Sequence, residues 1–332
     1  MRVPPGSASG KFLAGLLALV AVVASCSSSP SENPDGPSAT PSPAPTGVLF
    51  RPFAADSPYN TTIPADPAID ANSGEMVSYA TGDGQVYANL REYGVPIWAA
   101  TPSTPHQSVR CRLRWGKCPI ATTPIPTGAE PNVGSDGVLV VVDPAENTTH
   151  EFWQAQHTSA SGWSVSWGAI NKLTGSGWGG NATGSGASRL AGIIRVEEIK
   201  AGDIPHALSM QSSNACAGVH RAPALKTDGE SNRSDCLPEG TRLQLDPSID
   251  LTRIKGISKA ELAVGRALQT YGAYVMDKGA ARLSVTFELA RDASPRTPGS
   301  VYRSAGLRWD YYGMPHLPWD KLRVLTDCHC TS

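Results

Sequence analysis

The chain has 332 residues, with 28 Lys and Arg against 29 Asp and Glu, and a formal net charge of −1 at pH 7. No basic block or stripe interrupts this balance, so we predict that nucleic acid is not a partner. The 33 glycines and 28 prolines favour short strands joined by turns over a protein of long helices.

The N-terminus has the pattern of a cleaved export signal, residues 1–25. Arg2 and Lys11 precede an apolar run, residues 12–23, that is too short to span a bilayer. Cys26 follows two small residues, and this arrangement resembles the lipobox of bacterial lipoproteins. The resemblance implies that Cys26 carries lipid and anchors the protein to the cell membrane on its extracytoplasmic side. An ordinary secretory signal with an incidental cysteine is the alternative.

The next segment has the composition of a disordered tether. Residues 27–46 are nearly all Ser, Pro, Gly, Ala and Thr, with only two charges. Such a segment buries too little apolar surface to fold. We therefore predict a tether over residues 26–46, followed by one folded domain over residues 47–332.

The cysteine count agrees with export. The chain has seven cysteines, and six remain if Cys26 carries lipid, an even number that favours disulfides in an exported domain. The favoured pairs each close a short polar loop. They are Cys111–Cys118 and Cys216–Cys236.

The last two cysteines, Cys328 and Cys330, are poor candidates for a mutual disulfide. Alternate residues of a strand point the same way but lie far apart. A zinc site there would need a second pair of ligands at a matching spacing, which the sequence does not offer. We therefore predict no metal, and their pairing stays open.

The folded region predicts an all-β protein, a β-sandwich or jelly roll, because turn signals recur about every eight to twelve residues. The clearest hairpin joins residues 137–143 to residues 148–156. Residues 138–142 are apolar on both faces, which is typical of a central strand. Further strands are predicted at 163–170, 190–199, 207–210, 241–245 and 283–289.

One covering helix is predicted near residues 258–271. Ser258 and Glu261 have the spacing of a capping box. Apolar residues then recur at helical spacing as far as Tyr271, and Gly272 suits a C-terminal cap.

Glu198 is the sharpest candidate for an acid catalyst. On a strand over residues 190–199 it shares a face with Ile194 and Val196. Burial among aliphatic side chains raises the pKa of a carboxyl group, which suits a general acid near neutral pH. A structural ion pair with Arg195 or Arg189 is the alternative.

His206 lies eight residues after Glu198 and opens the next predicted strand. Its imidazole suits a general base, a metal ligand or a hydrogen-bonded core residue. The second acid of a hydrolase must lie about 5–10 Å from the first. Glu151 is our choice for it, and Asp277 is a further candidate.

The run Arg195-Val-Glu-Glu-Ile-Lys-Ala-Gly-Asp-Ile-Pro-His-Ala-Leu resembles a motif of an uncharacterised family of exported bacterial β-rich proteins. Matching segments are found at residues 185–193 and from Tyr271 to Gly279, and the resemblance spans most of residues 50–325. It implies that Glu198, His206 and Asp277 are shared positions. It leaves the reaction open, although the family often accompanies carbohydrate-active modules. Arg189 departs from the family pattern.

Four tryptophans between residues 153 and 178 indicate sugar binding, because indole rings stack on sugar rings. Trp178, in the Gly-rich loop over residues 174–186, is the favoured platform. Trp153 is a second binding candidate, although a core position is the alternative for it. Trp309 belongs to an aromatic cluster that forms either a subsite or a packed cap.

These patterns give three hypotheses for a carbohydrate-associated surface protein. The first is a glycan hydrolase with Glu198 as proton donor and Glu151 as second carboxylate. The second is a polysaccharide lyase in which His206 or a tyrosine takes the proton. The third is a glycan-binding or structural envelope lipoprotein without catalysis. No phosphate-binding, dinucleotide-binding or zinc-protease motif is present, so we predict no cofactor; no feature predicts an oligomeric state.

Overall fold

The structure of the protein is a computed structural model that describes residues 51–180 and 182–326. The predicted signal, the tether and Cys26 lie outside the described residues, as do Cys328 and Cys330.

Within these ranges the chain forms sixteen strands and four α-helices. The strands are β1 (Tyr87–Asn89), β2 (Ile97–Ala99), β3 (His106–Cys111), β4 (Thr122–Pro124), β5 (Leu139–Asp143), β6 (Thr148–Trp153), β7 (Gln156–Thr158), β8 (Gly162–Val165), β9 (Trp167–Lys172), β10 (Leu208–Ser212), β11 (Ala215–His220), β12 (Leu237–Glu239), β13 (Arg242–Leu245), β14 (Ala273–Lys278), β15 (Ser284–Thr286) and β16 (Leu322–Val324). The helices are α1 (Ser73–Ala80), α2 (Val196–Ala201), α3 (Lys259–Thr270) and α4 (Ser300–Ser304). The protein is β-rich as predicted, but it has more helices than the single one expected.

The largest sheet has six strands in the order β1-β15-β10-β14-β13-β16, with both parallel and antiparallel pairs. Side chains of β14 alternate between two apolar clusters. Ala273 and Val275 pack in the cluster that contains Leu268 of α3, whereas Tyr274 and Met276 belong to a second cluster. The helices therefore cover one face of this sheet.

Helix α3 confirms the predicted helix to within one residue at each end. Ser258 Oγ accepts a hydrogen bond from the Glu261 backbone N–H at 3.2 Å, and Glu261 Oε2 accepts one from the Ser258 N–H at 2.8 Å. This capping box satisfies two amide groups that the helix itself leaves unpaired. Gly272 follows the helix with φ of 73°, as its predicted capping role requires.

The predicted hairpin is also confirmed, as β5 and β6 in a four-stranded sheet of order β2-β5-β6-β9. Every residue of β5 is buried. Leu139 and Val141 pack in a cluster with Val165 of the third sheet, whose order is β4-β3-β8-β7. Val140 and Val142 pack on the other side, in the cluster that contains Tyr274. Strand β5 is thus covered on both faces as predicted, while a sandwich or jelly-roll arrangement stays a prediction.

Two strand predictions were wrong. Residues 190–199 do not form a strand, because helix α2 begins at Val196 and ends at a left-handed Gly202. The Glu198 carboxylate accepts the Arg195 N–H at the start of this helix, and that local bond competes with extension into a strand. Residues 163–170 form parts of two strands, β8 and β9, that belong to different sheets.

Both favoured disulfides, Cys111–Cys118 and Cys216–Cys236, are present. Disulfides of this kind are typical of an oxidising, extracytoplasmic compartment. Among residues 51–180 and 182–326, no helix combines the length and the apolar composition that a bilayer crossing needs.

His150 on β6 is a buried imidazole with few partners. Its side chain lies 3.4 Å from the hydroxyl oxygens of Thr123 and Thr148 and is 7% exposed. Burial lowers the pKa of His150 to about 4, and the Asp143 carboxylate opposes this shift only in part. The folded protein therefore holds His150 neutral in mildly acidic solution.

We expect this histidine to cost the protein stability in acid. The unfolded chain binds the proton with a pKa near 6.5, so the free energy of unfolding falls as the pH drops from about 6.5 to 4, by roughly 3 kcal/mol at full protonation. Urea unfolding at pH 7 and pH 4.5 should show a smaller loss for His150→Gln than for the wild type. His220→Gln, at an exposed position, is the control, and an equal loss in all three proteins would contradict the assignment.

Candidate functional site

Glu198 and His206 lie together, but in the interior. The Glu198 carboxylate is 0% exposed and His206 is 4% exposed. Arg195 Nη2 donates to Glu198 Oε1 at 2.6 Å, and His206 Nε2 lies 3.1 Å from the same oxygen. The second oxygen, Oε2, accepts the Arg195 backbone N–H at 2.9 Å. Both carboxylate oxygens are therefore occupied by groups of the protein.

The electrostatics of this cluster differ from the prediction. Burial raises the pKa of Glu198, but His206 and Arg195 outweigh that effect and hold the pKa below its usual value. The prediction of a raised pKa for Glu198 was wrong. Strand spacing placed this side chain among aliphatic groups, whereas in the structure it contacts nitrogen donors of Arg195 and His206. The cavity beside Arg195 and His206 has a volume of about 10 Å³, enough for about one water molecule and far too small for a sugar ring.

Glu151, the predicted second acid, is also closed off from water. Its carboxylate is 0% exposed and accepts hydrogen bonds from Thr149 Oγ1 at 2.6 Å, from Asn171 Nδ2 at 3.0 Å and from Ser188 Oγ. The Arg189 backbone N–H donates to its other oxygen at 2.8 Å. Burial raises the pKa of Glu151, and these hydrogen bonds lower it in part. Glu151 ties strand β6 to the segment that carries Arg189.

Asp277 is the one predicted catalytic acid that the structure places near solvent, with 17% of its side chain exposed. Its Oδ1 accepts the Gly184 N–H at 2.9 Å, and its Oδ2 lies 3.9 Å from Arg189 Nη2. Two acids that the sequence analysis missed, Asp228 and Glu239, join it. One carboxylate oxygen from each of the three residues lies within 4.8 Å of the others. We call these three residues the acidic cluster.

The acids of this cluster disfavour one another's ionisation. Burial raises the pKa of Asp277 to about 7, an effect that Arg189 opposes and Asp228 reinforces. Burial also raises the pKa of Glu239 to about 9, and Asp228 and Asp277 add to this shift. No spacing rule links Asp228 in its loop, Glu239 on β12 and Asp277 on β14, so the cluster was not predictable from the sequence.

Trp178 does not stand free as a sugar platform. Its ring stacks on Tyr59 with centroids 5.5 Å apart and meets Tyr274 edge-on at 5.8 Å. It is half-buried and packs against the apolar cluster between β5 and β14. The predicted platform is therefore partly covered, because Tyr59 from the distant N-terminal segment stacks on the Trp178 ring.

A different tryptophan, Trp115, forms the most exposed aromatic surface. It is 62% exposed and stacks on Trp153 with centroids 6.2 Å apart and an interplanar angle of 17°. Trp167 supports it from another side at 5.7 Å. We call these three rings the Trp115 platform. Trp153 is thus half-buried beneath the exposed Trp115 ring. This position is neither fully in the core nor fully open to a sugar, the two alternatives given by the sequence.

The loop that carries Trp115 is fixed at its base. The Cys111–Cys118 disulfide closes it, and Arg112 Nη2 donates to the Gln154 carbonyl at 2.8 Å and to Ser166 Oγ at 3.0 Å. Three exposed cations surround Trp115 in sequence, and none forms an ion pair with another described residue. They are Arg110, Arg114 and Lys117. A tryptophan between cations in a cysteine-closed loop was the signal that the sequence analysis missed.

Trp309, the remaining predicted binding residue, is 56% exposed. It meets only Tyr312 among the described aromatic rings, edge-on at 4.9 Å. Asp310 next to it accepts the backbone N–H groups of Leu90 and Glu92, so this segment is a docked cap. A role of Trp309 in binding stays a prediction.

Comparison with models of protein families, with curated proteins and with solved structures finds no match to this chain. The lipobox resemblance and the motif resemblance therefore stay predictions.

We expect Glu198 to be structural. Glu198→Gln removes the buried negative charge that bonds both Arg195 and His206, so the free energy of unfolding should fall by about 3–5 kcal/mol. Urea unfolding measures this loss. Glu197→Gln is the matched control, because Glu197 is exposed on the same helix, and its effect should stay within about 0.5 kcal/mol. Equal stability of both variants would show that Glu198 is not the ion-pair partner described above.

Proposed function

We propose that the protein is a non-catalytic, lipid-anchored surface protein that binds an anionic glycan at the Trp115 platform. The observation that carries this proposal is the 62% exposure of Trp115 on a loop that its disulfide and Arg112 hold in place. Adjoining exposed apolar side chains mark binding surfaces more reliably than single ones, and Trp115 stacks on the half-buried ring of Trp153.

The aromatic rings suit a sugar. A pyranose ring presents an apolar face, and stacking on indole buries that face while the hydroxyl groups stay in water. Trp153 and Trp167 hold the Trp115 ring from below, so little conformational entropy is lost when a ligand binds.

The charges indicate an acidic sugar, such as a uronate. Arg114 and Lys117 are exposed on either side of Trp115 in the sequence, and they form no ion pair with other described residues. Carboxylate groups on a glycan would supply the missing counter-charges. Because these contacts are exposed, we expect salt to weaken them.

The hydrolase and lyase hypotheses receive less support. Glu198 and Glu151 have all their carboxylate oxygens bonded and no exposed surface. His206 is bonded to Glu198 through Nε2 and to the Ala207 carbonyl through Nδ1, so it has no nitrogen available for a substrate proton. The larger cavity, of about 310 Å³ between α2, α3 and α4, contains none of the predicted site residues.

The remaining part of the proposal concerns location. The two disulfides indicate an extracytoplasmic protein. Lipidation at Cys26 and the tether over residues 26–46 extend this to a domain held at a membrane surface by lipid.

We expect Trp115→Ala to weaken glycan binding about tenfold, since loss of one stacked ring costs on the order of 1.4 kcal/mol. Titration calorimetry of the full chain with polygalacturonate, alginate and a neutral β-glucan measures it. Arg114→Gln with Lys117→Gln should weaken binding of the two acidic polymers and reduce its salt dependence, with little effect on the neutral one.

Trp309→Ala is the matched control, because Trp309 is comparably exposed and lacks the cationic loop. A loss of binding in Trp309→Ala but not in Trp115→Ala would move the site and overturn the proposal. Release of shortened or ultraviolet-absorbing products from any of the three polymers would overturn the absence of catalysis.

A further inference from the structure

The acidic cluster contains one buried carboxyl group, that of Glu239, without hydrogen-bond partners in the described part of the chain. Glu239 is 0% exposed, and neither of its carboxylate oxygens has a hydrogen-bond partner among the described residues. Thr227 Oγ1, a hydroxyl of the same loop as Asp228, donates to the Cys216 carbonyl at 3.3 Å. A buried carboxylate without donors is strongly unfavourable, so Glu239 must either hold a proton or be balanced by a cation.

From this arrangement we infer that Asp228, Glu239 and Asp277 form a binding site for a divalent cation, and that the cation is Ca²⁺. Three carboxylates with only oxygen donors match the preference of hard cations. No sulfur or imidazole ligand takes part in the cluster, which disfavours zinc and copper.

The coordination preferences of the two ions favour Ca²⁺ over Mg²⁺. The three oxygen atoms lie within 4.8 Å of one another. Two ligands on opposite sides of a calcium ion, each at about 2.4 Å, are separated by about that distance. Magnesium demands near-octahedral geometry and tends to keep several water ligands, whereas calcium accepts irregular sets of carboxylate oxygens, such as those of three acids from separate segments.

The cluster is open to solvent on the side of Asp228 and closely walled on the side of Gly184. Asp228 is exposed, and its Oδ1 accepts the Lys278 N–H at 3.1 Å, which holds it beside Asp277. Gly184 forms a further wall, and a Cβ there would lie 2.3 Å from Asp228 Oδ1 and 2.7 Å from Asp277 Oδ1. Only a residue without a side chain allows the carboxylates to approach this closely.

Nearby cations do not neutralise the cluster. Arg189 Nη2 is 3.9 Å from Asp277 Oδ2, a distant contact with one of the three acids. Lys278 Nζ is engaged by Glu230 at 2.7 Å. Asp228 and Glu239 form no ion pair with a Lys or Arg among the described residues, so their carboxylate oxygens are open to a divalent cation.

The Cys216–Cys236 disulfide helps to assemble the site. Asp228 belongs to the loop that this disulfide closes, and Glu239 follows Cys236 by three residues on β12. The cross-link limits the freedom of the loop in both folded and unfolded states. Two of the three ligands are therefore positioned by a covalent constraint and the third by β14.

The test is calorimetric titration of the full chain, stripped of metal with a chelator, with CaCl₂ and separately with MgCl₂. We expect one Ca²⁺ site with a Kd of about 10⁻⁴–10⁻³ M or tighter, the range of extracellular calcium modules, and a melting temperature that rises with CaCl₂. Glu239→Gln and Asp228→Asn should weaken Ca²⁺ binding at least tenfold and remove the rise in melting temperature.

Glu197→Gln is the control, since Glu197 is an exposed acid outside the acidic cluster; its Ca²⁺ affinity should equal that of the wild type. Asp228 is exposed, so Asp228→Asn tests the site even if Glu239→Gln fails to fold. Absence of a Ca²⁺ signal in the wild type would overturn the inference and leave a proton shared between Glu239 and Asp228 as the explanation. Equal or tighter binding of Mg²⁺ would overturn the assignment to calcium.

Discussion

A carboxylate that leaves water must find donors, a counter-charge or a proton, and three of the buried glutamates among the described residues meet this requirement differently. Glu198 is neutralised by Arg195 and His206. Glu151 is surrounded by hydroxyl, amide and backbone donors from β6, β9 and the segment that leads to Arg189. Glu239 has neither kind of partner among the described residues. The first two therefore hold the fold together, and the third is where the proposed cation would bind.

Features with local signals were predictable from the sequence. The capping box at Ser258, the hairpin around Pro144 and the two short disulfide loops each depend on residues close together in the chain. Helix α2 was not predictable in the same way. It is six residues long, too short to form from propensity alone, and its stability depends on bonds between Glu198 and a histidine eight residues away.

The site was less predictable than the fold for a related reason. The three acids chosen from the sequence, Glu198, Glu151 and Asp277, all have pKa values that their surroundings shift. Accessibility to solvent depends on which sheets and loops pack over a side chain. That packing closed the predicted groove at Glu198 and exposed Trp115 instead.

The two covalent cross-links each lie at the base of a proposed binding element, one beneath Trp115 and one beside Asp228. A newly synthesised chain in a reducing cytoplasm would lack both disulfides. Neither the Trp115 platform nor the acidic cluster would then be held in place before export. Competence to bind would be acquired only after thiol oxidation outside the cytoplasm. Because disulfides form only after export, the protein would not bind ligands inside the cytoplasm, and no separate inhibitor would be needed.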